Sequence, residues 1–226
     1  MTPMNQVIYY FPEMIKALKE TGMMLGISLF VGLVGGMMMG LCLFLFRPEG
    51  RSPNKLIMLL FNLYVNVMRS FPFLLLVVAI IPLTRLVFGT AFGPIAASFP
   101  LSFVAIAIFA RLVEQVLLDI PKEVEELASS LGVNNVKFVY YFLLKEARSG
   151  LVLSFTSMTI SLMSYSTVMG VVGGGGIGDF AIRFGYQRYE YEVMYTTIVL
   201  MILIVGSIQI VGTYVSKKLD KRKLIK

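Results

Sequence analysis

The sequence predicts an all-α membrane protein. It reads as five transmembrane helices, N-terminus outside and C-terminus inside, with a cytoplasmic helix between spans three and four. Three observations carry that expectation. The 226 residues are 57% hydrophobic and only 15% charged, at a mean hydropathy of +0.81. A soluble domain has about 45–50% apolar and about 25% charged residues, so lipid is the expected solvent. Second, five apolar runs punctuate the chain. Third, the basic residues gather in alternate connections between those runs.

The runs follow from the roughly 20 apolar residues that a spanning helix needs. Residues 21–46 carry no charge and place Gly32, Gly36 and Gly40 at four-residue spacing, a ridge that lets another helix approach closely. Residues 56–84 form the second run, interrupted by Arg69 and Pro72, and 86–110 the third, with Pro94 and Pro100 inside it. Residues 149–178 are the fourth, ending in a glycine run from Gly173 to Gly178, and residues 193–216 are the fifth. Met4 to Glu20 mixes polar and apolar residues around Pro12, so residues 1–20 are expected to be an external interfacial segment rather than a further span. No basic start followed by a small-residue cleavage site precedes the first span, which is expected to act as an uncleaved anchor. The whole of 1–226 is expected to be a single transmembrane domain.

Charge fixes the expected orientation. Fourteen of the 20 lysines and arginines fall in three segments. They are Arg47, Arg51 and Lys55; then Arg111, Lys122, Lys137, Lys145 and Arg148; then Lys217, Lys218, Lys221, Arg222, Lys223 and Lys226. Five spans put these segments on one side, and positive charge stays inside. The net charge of +7 therefore needs no nucleic acid, because attraction of the tail to anionic lipid accounts for it.

The composition also excludes chemistry. There is no His, hence no imidazole base or metal ligand. The single Cys42 can form no internal disulfide and reads as a small core hydrophobe. The span interiors hold almost no Asp or Glu, which argues against a proton-driven carrier. Gly173, Gly175 and Gly178 match G-x-G-x-x-G, but a membrane span precedes them instead of a strand, and no Lys-Ser or Lys-Thr follows. The glycines are expected to make a tight, close-packed turn. Arg69, the one charge inside an apolar run, either snorkels, pairs with a carbonyl or sits at a dimer cavity.

Residues 114–148 form the connection between spans three and four, and residues 119–132 read as a helix with an elbow. Pro121 suits a first helical turn. Glu123, Glu125 and Glu126 favour the positive end of the helix dipole. Val124, Leu127, Ala128 and Leu131 recur on one face. Gly132 supplies a stop, Asn134 can cap a second helix, and Val136, Val139, Tyr140 and Leu143 repeat the spacing. Such a hairpin either lies on the membrane or docks a cytoplasmic partner.

Glu126, Ala128, Gly132 and Leu144 resemble the cytoplasmic signature of bacterial ABC-importer permeases, with Leu127, Phe142 and Lys145 replacing signature residues. Further segments look like the permease of the methionine importer: Arg69 to Phe73, Ile81 to Arg85, Ala110 to Glu114, Ser164 to Ser166 and Gly173 to Gly178. The resemblance spans about residues 20–215. It implies a multi-pass permease of the bacterial inner membrane, of the type I ABC-importer kind, importing methionine or a methionine-like molecule. Another amino acid or a short peptide is the alternative substrate, and a non-transporting receptor or scaffold the alternative class. The resemblance further implies a homodimer, a cytoplasmic ATPase dimer that binds the ATP and Mg, and an external substrate-binding lipoprotein. This chain itself would be no enzyme and would hold no cofactor or metal. Glu126, Leu127, Ala128, Leu131 and Gly132 would couple it to the ATPase.

Span four carries many hydroxyls from Ser154 to Thr167, which read either as helix glue or as the wall of a wet path. In the resembling family the region from Tyr165 to Met169 lines the passage, so Ser164, Tyr165, Ser166, Val168 and Met169 are candidates. Relatives place Met where this chain has Val168, with Met169 next to it. The loop Asp179 to Glu192, rich in Tyr and charge, is either a membrane-belt anchor or a docking surface.

Overall fold

A computed structural model describes residues 8–220, and among these every regular element is helical. Helix α1 (Phe11–Leu45) starts with a proline in its first turn and Glu13 beside it, both suited to a helix N-terminus. Its 35 residues make it about 52 Å long at 1.5 Å per residue. That exceeds a hydrocarbon core of about 30 Å. Residues 11–20 are thus the first turns of this helix and not a segment of their own. Residues 1–7 of the expected interfacial stretch lie outside the described residues.

The expected second run is broken. Helix α2 (Lys55–Ser70) begins where the Asn54 side chain accepts the amides of Leu56 and Ile57, both at 3.1 Å. Helix α3 (Phe73–Phe88) follows at a bend of 115°. Pro72 explains the break, because it has no amide to continue the ladder and drives Phe71 to extended backbone (ψ 130°). Helix α4 (Pro94–Leu118) opens on a proline after Gly93 at φ +89°. The third span therefore starts and ends about two turns later than expected. Leu86–Phe88 belong to α3, and Arg111, expected in a connection, is inside α4. The pair Arg111–Glu114 at 2.6 Å, with bonds from Arg111 to Asn62 and Asn66 of α2 at 3.1 and 2.9 Å, makes that charge tolerable there.

Helix α5 (Lys122–Ser130) is the first arm of the elbow. Helix α6 (Asn135–Gly174) is 40 residues long. The second arm of the elbow and the fourth span are therefore one helix, joined through a π-helical turn at Phe138–Leu143. Helix α7 (Gly176–Phe180) continues through a π-helical turn to Tyr186, and α8 (Tyr191–Leu219), the last helix of the described residues, lies close to the expected fifth run. Among the described residues, four helices are long and apolar enough to cross a membrane, or five if the bent α2–α3 pair is one span.

The glycine ridge sets the main packing. A Cβ on Gly32 would lie 2.7 Å from the Ala105 Cβ, one on Gly36 2.8 Å from the Phe109 Cβ, and one on Gly40 2.7 Å from the Ala110 carbonyl. The α1 and α4 backbones touch along this ridge as the sequence predicts. Phe109, Met158, Leu162 and Phe138 are fully buried in the core that α1, α4, α6 and the elbow share. By contrast α8 is largely exposed, with Ile202, Leu203, Ile210, Val211 and Tyr214 on its outer face. Cys42 is half-buried and free.

The described connections that carry the basic residues meet at one end of the bundle. Arg47 pairs with Glu125, Asn135 donates to the Ser52 hydroxyl at 2.7 Å, and Ser149 and Ser216 share a hydrogen bond at 2.9 Å. At the opposite end the glycine run folds back on α1. Gly173, Gly175 and Gly176 have φ of +89°, +77° and +85°, which only glycine adopts freely. The Gly176 amide donates to the Glu20 carboxylate and the Ile177 amide to the Thr21 hydroxyl, each at 2.8 Å. The run is thus the tight turn expected, with helices on both sides.

Candidate functional site

The elbow is built from local capping and long-range straps. The Val133 amide reaches the Ala128 carbonyl at 3.1 Å and the Gly132 amide reaches the Ser129 carbonyl at 3.0 Å. This bond pair, with Gly132 at φ +63°, is the Schellman stop that ends a helix on a left-handed glycine. Asn134 then caps α6 by accepting the Lys137 amide at 2.9 Å. Both features were legible in the sequence.

Two arginines hold the elbow to the turn after α1. Arg47 meets Glu125 at 3.0 Å and lies 3.9 Å from the Phe44 ring centroid. Arg51 donates to the Val133 carbonyl at 2.8 Å and stacks 4.6 Å from the Phe138 ring centroid. Sequence reasoning counted these residues only as inside charge. Their roles depend on contacts about 80 positions away in the chain, for which no local signal exists.

The five elbow candidates divide into two kinds. Leu127 and Leu131 are exposed (55% and 64%), and Glu126 is exposed beside them. Ala128 is fully buried (0%) and packs in the core with Phe138 and Leu143. Gly132 is exposed, and a Cβ there would meet nothing within 4 Å. The expected single apolar face is therefore split. Ala128 and Val133 close the elbow from inside, while Leu127 and Leu131 present bare apolar surface outward.

The α6 candidates are not gathered on one wall. Ser166 and Met169 are buried, Ser166 donating to the Met163 carbonyl at 2.7 Å. Ser164 faces a groove against α8, and Val168 another groove that α7 helps to line. Six residues of helix cover more than a full turn, so they cannot share a side. Tyr165 alone faces the cavity beside the α2–α3 break, stacked on Phe73 with ring centroids 4.6 Å apart. This cavity of about 340 Å³ is also lined by Arg69, Ser157 and Ser161. Most α6 hydroxyls bond their own helix, as Thr156 does to Val152, Thr159 to Phe155 and Ser161 to Ser157. Ser157 keeps its hydroxyl for the cavity.

In the segment Asp179 to Glu192, the Tyr10 hydroxyl donates to Glu190 at 2.9 Å and Arg183 pairs with Asp179 at 3.0 Å, while Tyr186, Tyr189 and Tyr191 stay exposed. Among the described residues no group of acidic, Cys or His side chains is placed to hold a metal.

Comparison with known proteins gives one answer. Residues 21–224 match the family described as binding-protein-dependent transport system inner membrane component. The probable D-methionine transport system permease protein MetI of Vibrio cholerae is 39% identical over 90% of each chain. The methionine import system permease protein MetP of Bacillus subtilis is 34% identical, over 80% of this chain and 81% of its own. Among solved structures, the inward-facing MetNI methionine ABC transporter contains a chain of similar fold at a TM-score of 0.89 and 36% identity, covering 92% of this chain and 96% of that one.

Proposed function

This chain belongs to the family of binding-protein-dependent transport system inner membrane components, and from that premise we infer that it is the pore-forming permease subunit of an ATP-driven methionine importer in the bacterial inner membrane. The observation that carries the reading is the TM-score of 0.89 at 36% identity to a chain of a methionine ABC transporter, over 92% of this chain. The relatives named as methionine permeases from Vibrio cholerae and Bacillus subtilis support the same substrate.

The working unit is a homodimer of this chain with a cytoplasmic ATPase dimer and an external substrate-binding lipoprotein. The permease performs no catalysis and holds no cofactor, because ATP and Mg belong to the ATPase. The convergence of Arg47, Arg51, Lys55, Lys145, Arg148 and Lys217 at one end supports an N-out, C-in orientation with that end in the cytoplasm. A reporter fused after Lys226 is then active only inside the cell.

In this reading α5 is the coupling helix. Leu127 and Leu131 enter a cleft of the ATPase, and Glu126 stands at its rim. Ala128 and Gly132 give the elbow its shape. Arg47 and Arg51 carry its displacement to α1, whose glycine ridge carries it to α4. The elbow also continues without interruption into α6, so a push on α5 reaches the bundle wall through a single helix.

The test is uptake of labelled methionine by cells lacking their own methionine importers and supplied with this permease, its cognate ATPase and its binding protein. ATP-dependent accumulation supports the assignment. Background methionine uptake alongside import of another solute overturns it.

A further inference from the structure

We propose that the cavity beside the α2–α3 break is a binding site for the carboxylate of a small apolar amino acid in transit, with Arg69 as the residue that reads the carboxylate. The inference rests on the import function above and names the residues that meet the substrate within the membrane.

Arg69 lies in the last turn of α2, two residues before the Phe71–Pro72 break, inside an apolar run. An ionised side chain at such a position is retained where it faces a cavity or a partner. Among the described residues its guanidinium has no hydrogen bond or ion pair, unlike Arg47 and Arg111, which hold Glu125 and Glu114. The hydroxyls of Ser157 and Tyr165 line the same cavity and likewise have no hydrogen-bond partner among these residues. Arg69 and Ser157 are exposed and Tyr165 is half-buried, so three polar groups from two helices converge on one open space.

The cavity of about 340 Å³ falls within the roughly 300–1,000 Å³ of small-molecule sites. Its lining includes no acid, so the Arg69 charge has no local counter-ion. A guanidinium offers a planar fork of donors that matches a carboxylate with two parallel bonds. The break also brings the N-terminal end of α3, whose cap residue Pro72 supplies no side-chain bond, to the cavity edge at Phe73. Its dipole adds to the positive field that Arg69 sets.

The other side of the cavity is apolar and polarizable. Phe73 and Tyr165 form a tilted pair, interplanar 32°, and Met68 also lines the cavity. Thioether sulfur packs favourably against aromatic rings. The site thus offers one charged pole for a carboxylate and one aromatic pole for an apolar side chain. No built acid is present to select a cationic side chain.

The test uses the full complex of permease, cognate ATPase and binding protein in proteoliposomes. Arg69→Gln lowers the initial rate of labelled methionine uptake about 10- to 100-fold, with copurification of the ATPase reporting that the variant assembles. Arg69→Lys keeps part of the rate. Tyr165→Phe and Ser157→Ala lower it less, and they carry the test if Arg69→Gln does not assemble. In parallel, a methionine analogue bearing a side-chain diazirine labels the segments around Phe73 and Tyr165, is competed by methionine, and loses its labelling in Arg69→Gln. Wild-type uptake in Arg69→Gln, or labelling indifferent to that change, overturns the site while leaving the import function intact. Background methionine uptake by the wild-type complex alongside import of another solute instead overturns the import function, so the two failures are distinguishable.

Discussion

The Arg47 guanidinium meets the Glu125 carboxylate at 3.0 Å and so ties the turn after α1 to the first arm of the elbow. Both side chains are largely buried, at 18% and 23% exposed, and the cation also covers the Phe44 ring. An exposed ion pair contributes little, but a desolvated one strands its partner when broken. Arg47→Ala is therefore expected to loosen the elbow by about 1–3 kcal/mol. Faster amide exchange over residues 122–138 measures it. The swap Arg47→Glu with Glu125→Arg recovers part of the protection. Unchanged exchange in Arg47→Ala would show that the strap is idle.

Gly132 needs its glycine for backbone conformation alone, because its φ is +63° and a Cβ there meets nothing. The expected order of tolerance is Gly, then Asn, then Ala, then Val, since Asn adopts the left-handed region more readily and β-branching disfavours it most. Gly132→Ala is expected to cost about 1 kcal/mol. Copurification of the ATPase with each variant, followed by coupled ATP hydrolysis, reads the order. Equal retention across the series would remove the conformational requirement.

Ala128 and Leu131 are expected to fail in different ways. Ala128→Asp places a charge against Phe138 in a closed interior and unfolds the elbow, with a loss of several kcal/mol. Leu131→Asp changes exposed surface and leaves the elbow folded. Both variants lose ATPase copurification, but protease sensitivity between residues 119 and 138 rises only in Ala128→Asp. Equal sensitivity in the two would contradict the division between shape and docking.

The glycine ridge supplies a comparison within one helix. A Cβ at Gly36 meets the Phe109 Cβ at 2.8 Å and the Ile106 carbonyl at 3.0 Å, whereas one at Gly26 meets nothing within 4 Å. Gly36→Ala is expected to destabilise the solubilised permease by about 1–3 kcal/mol. Gly26→Ala is expected to be neutral or mildly stabilising, since helical Ala outranks Gly. Thermal unfolding in detergent separates them, and equal melting points would deny the α1–α4 contact.

Features with a short-range cause were legible in the sequence. The spacing of Gly32, Gly36 and Gly40 announced a close helix contact, Gly132 and Asn134 announced the elbow, and the Gly173–Gly178 run announced a tight turn. What was not legible depends on distant partners or on direction. Pro72 was visible as an interruption of residues 56–84, but the apolar stretches on both sides of it hid the 115° bend. The polar residues up to Glu20 cut the first span at residue 21, although α1 begins at Phe11 and outruns the bilayer. Periodicity grouped Ala128 with Leu127 and Leu131, but the chain turns Ala128 inward because Phe138 folds back over it. Arg69 was visible as an anomaly, and only the fold brings Ser157 and Tyr165 beside it.

The central claim is that this permease imports methionine through force received at the elbow. Its most direct measurement is ATP-driven accumulation of labelled methionine in proteoliposomes holding permease, cognate ATPase and binding protein, with Leu131→Asp run beside the wild type. The account predicts accumulation that needs ATP on the elbow side and falls to background in Leu131→Asp while the mutant permease remains folded. Accumulation that persists in Leu131→Asp, or a wild-type complex that hydrolyses ATP without moving methionine, would contradict it.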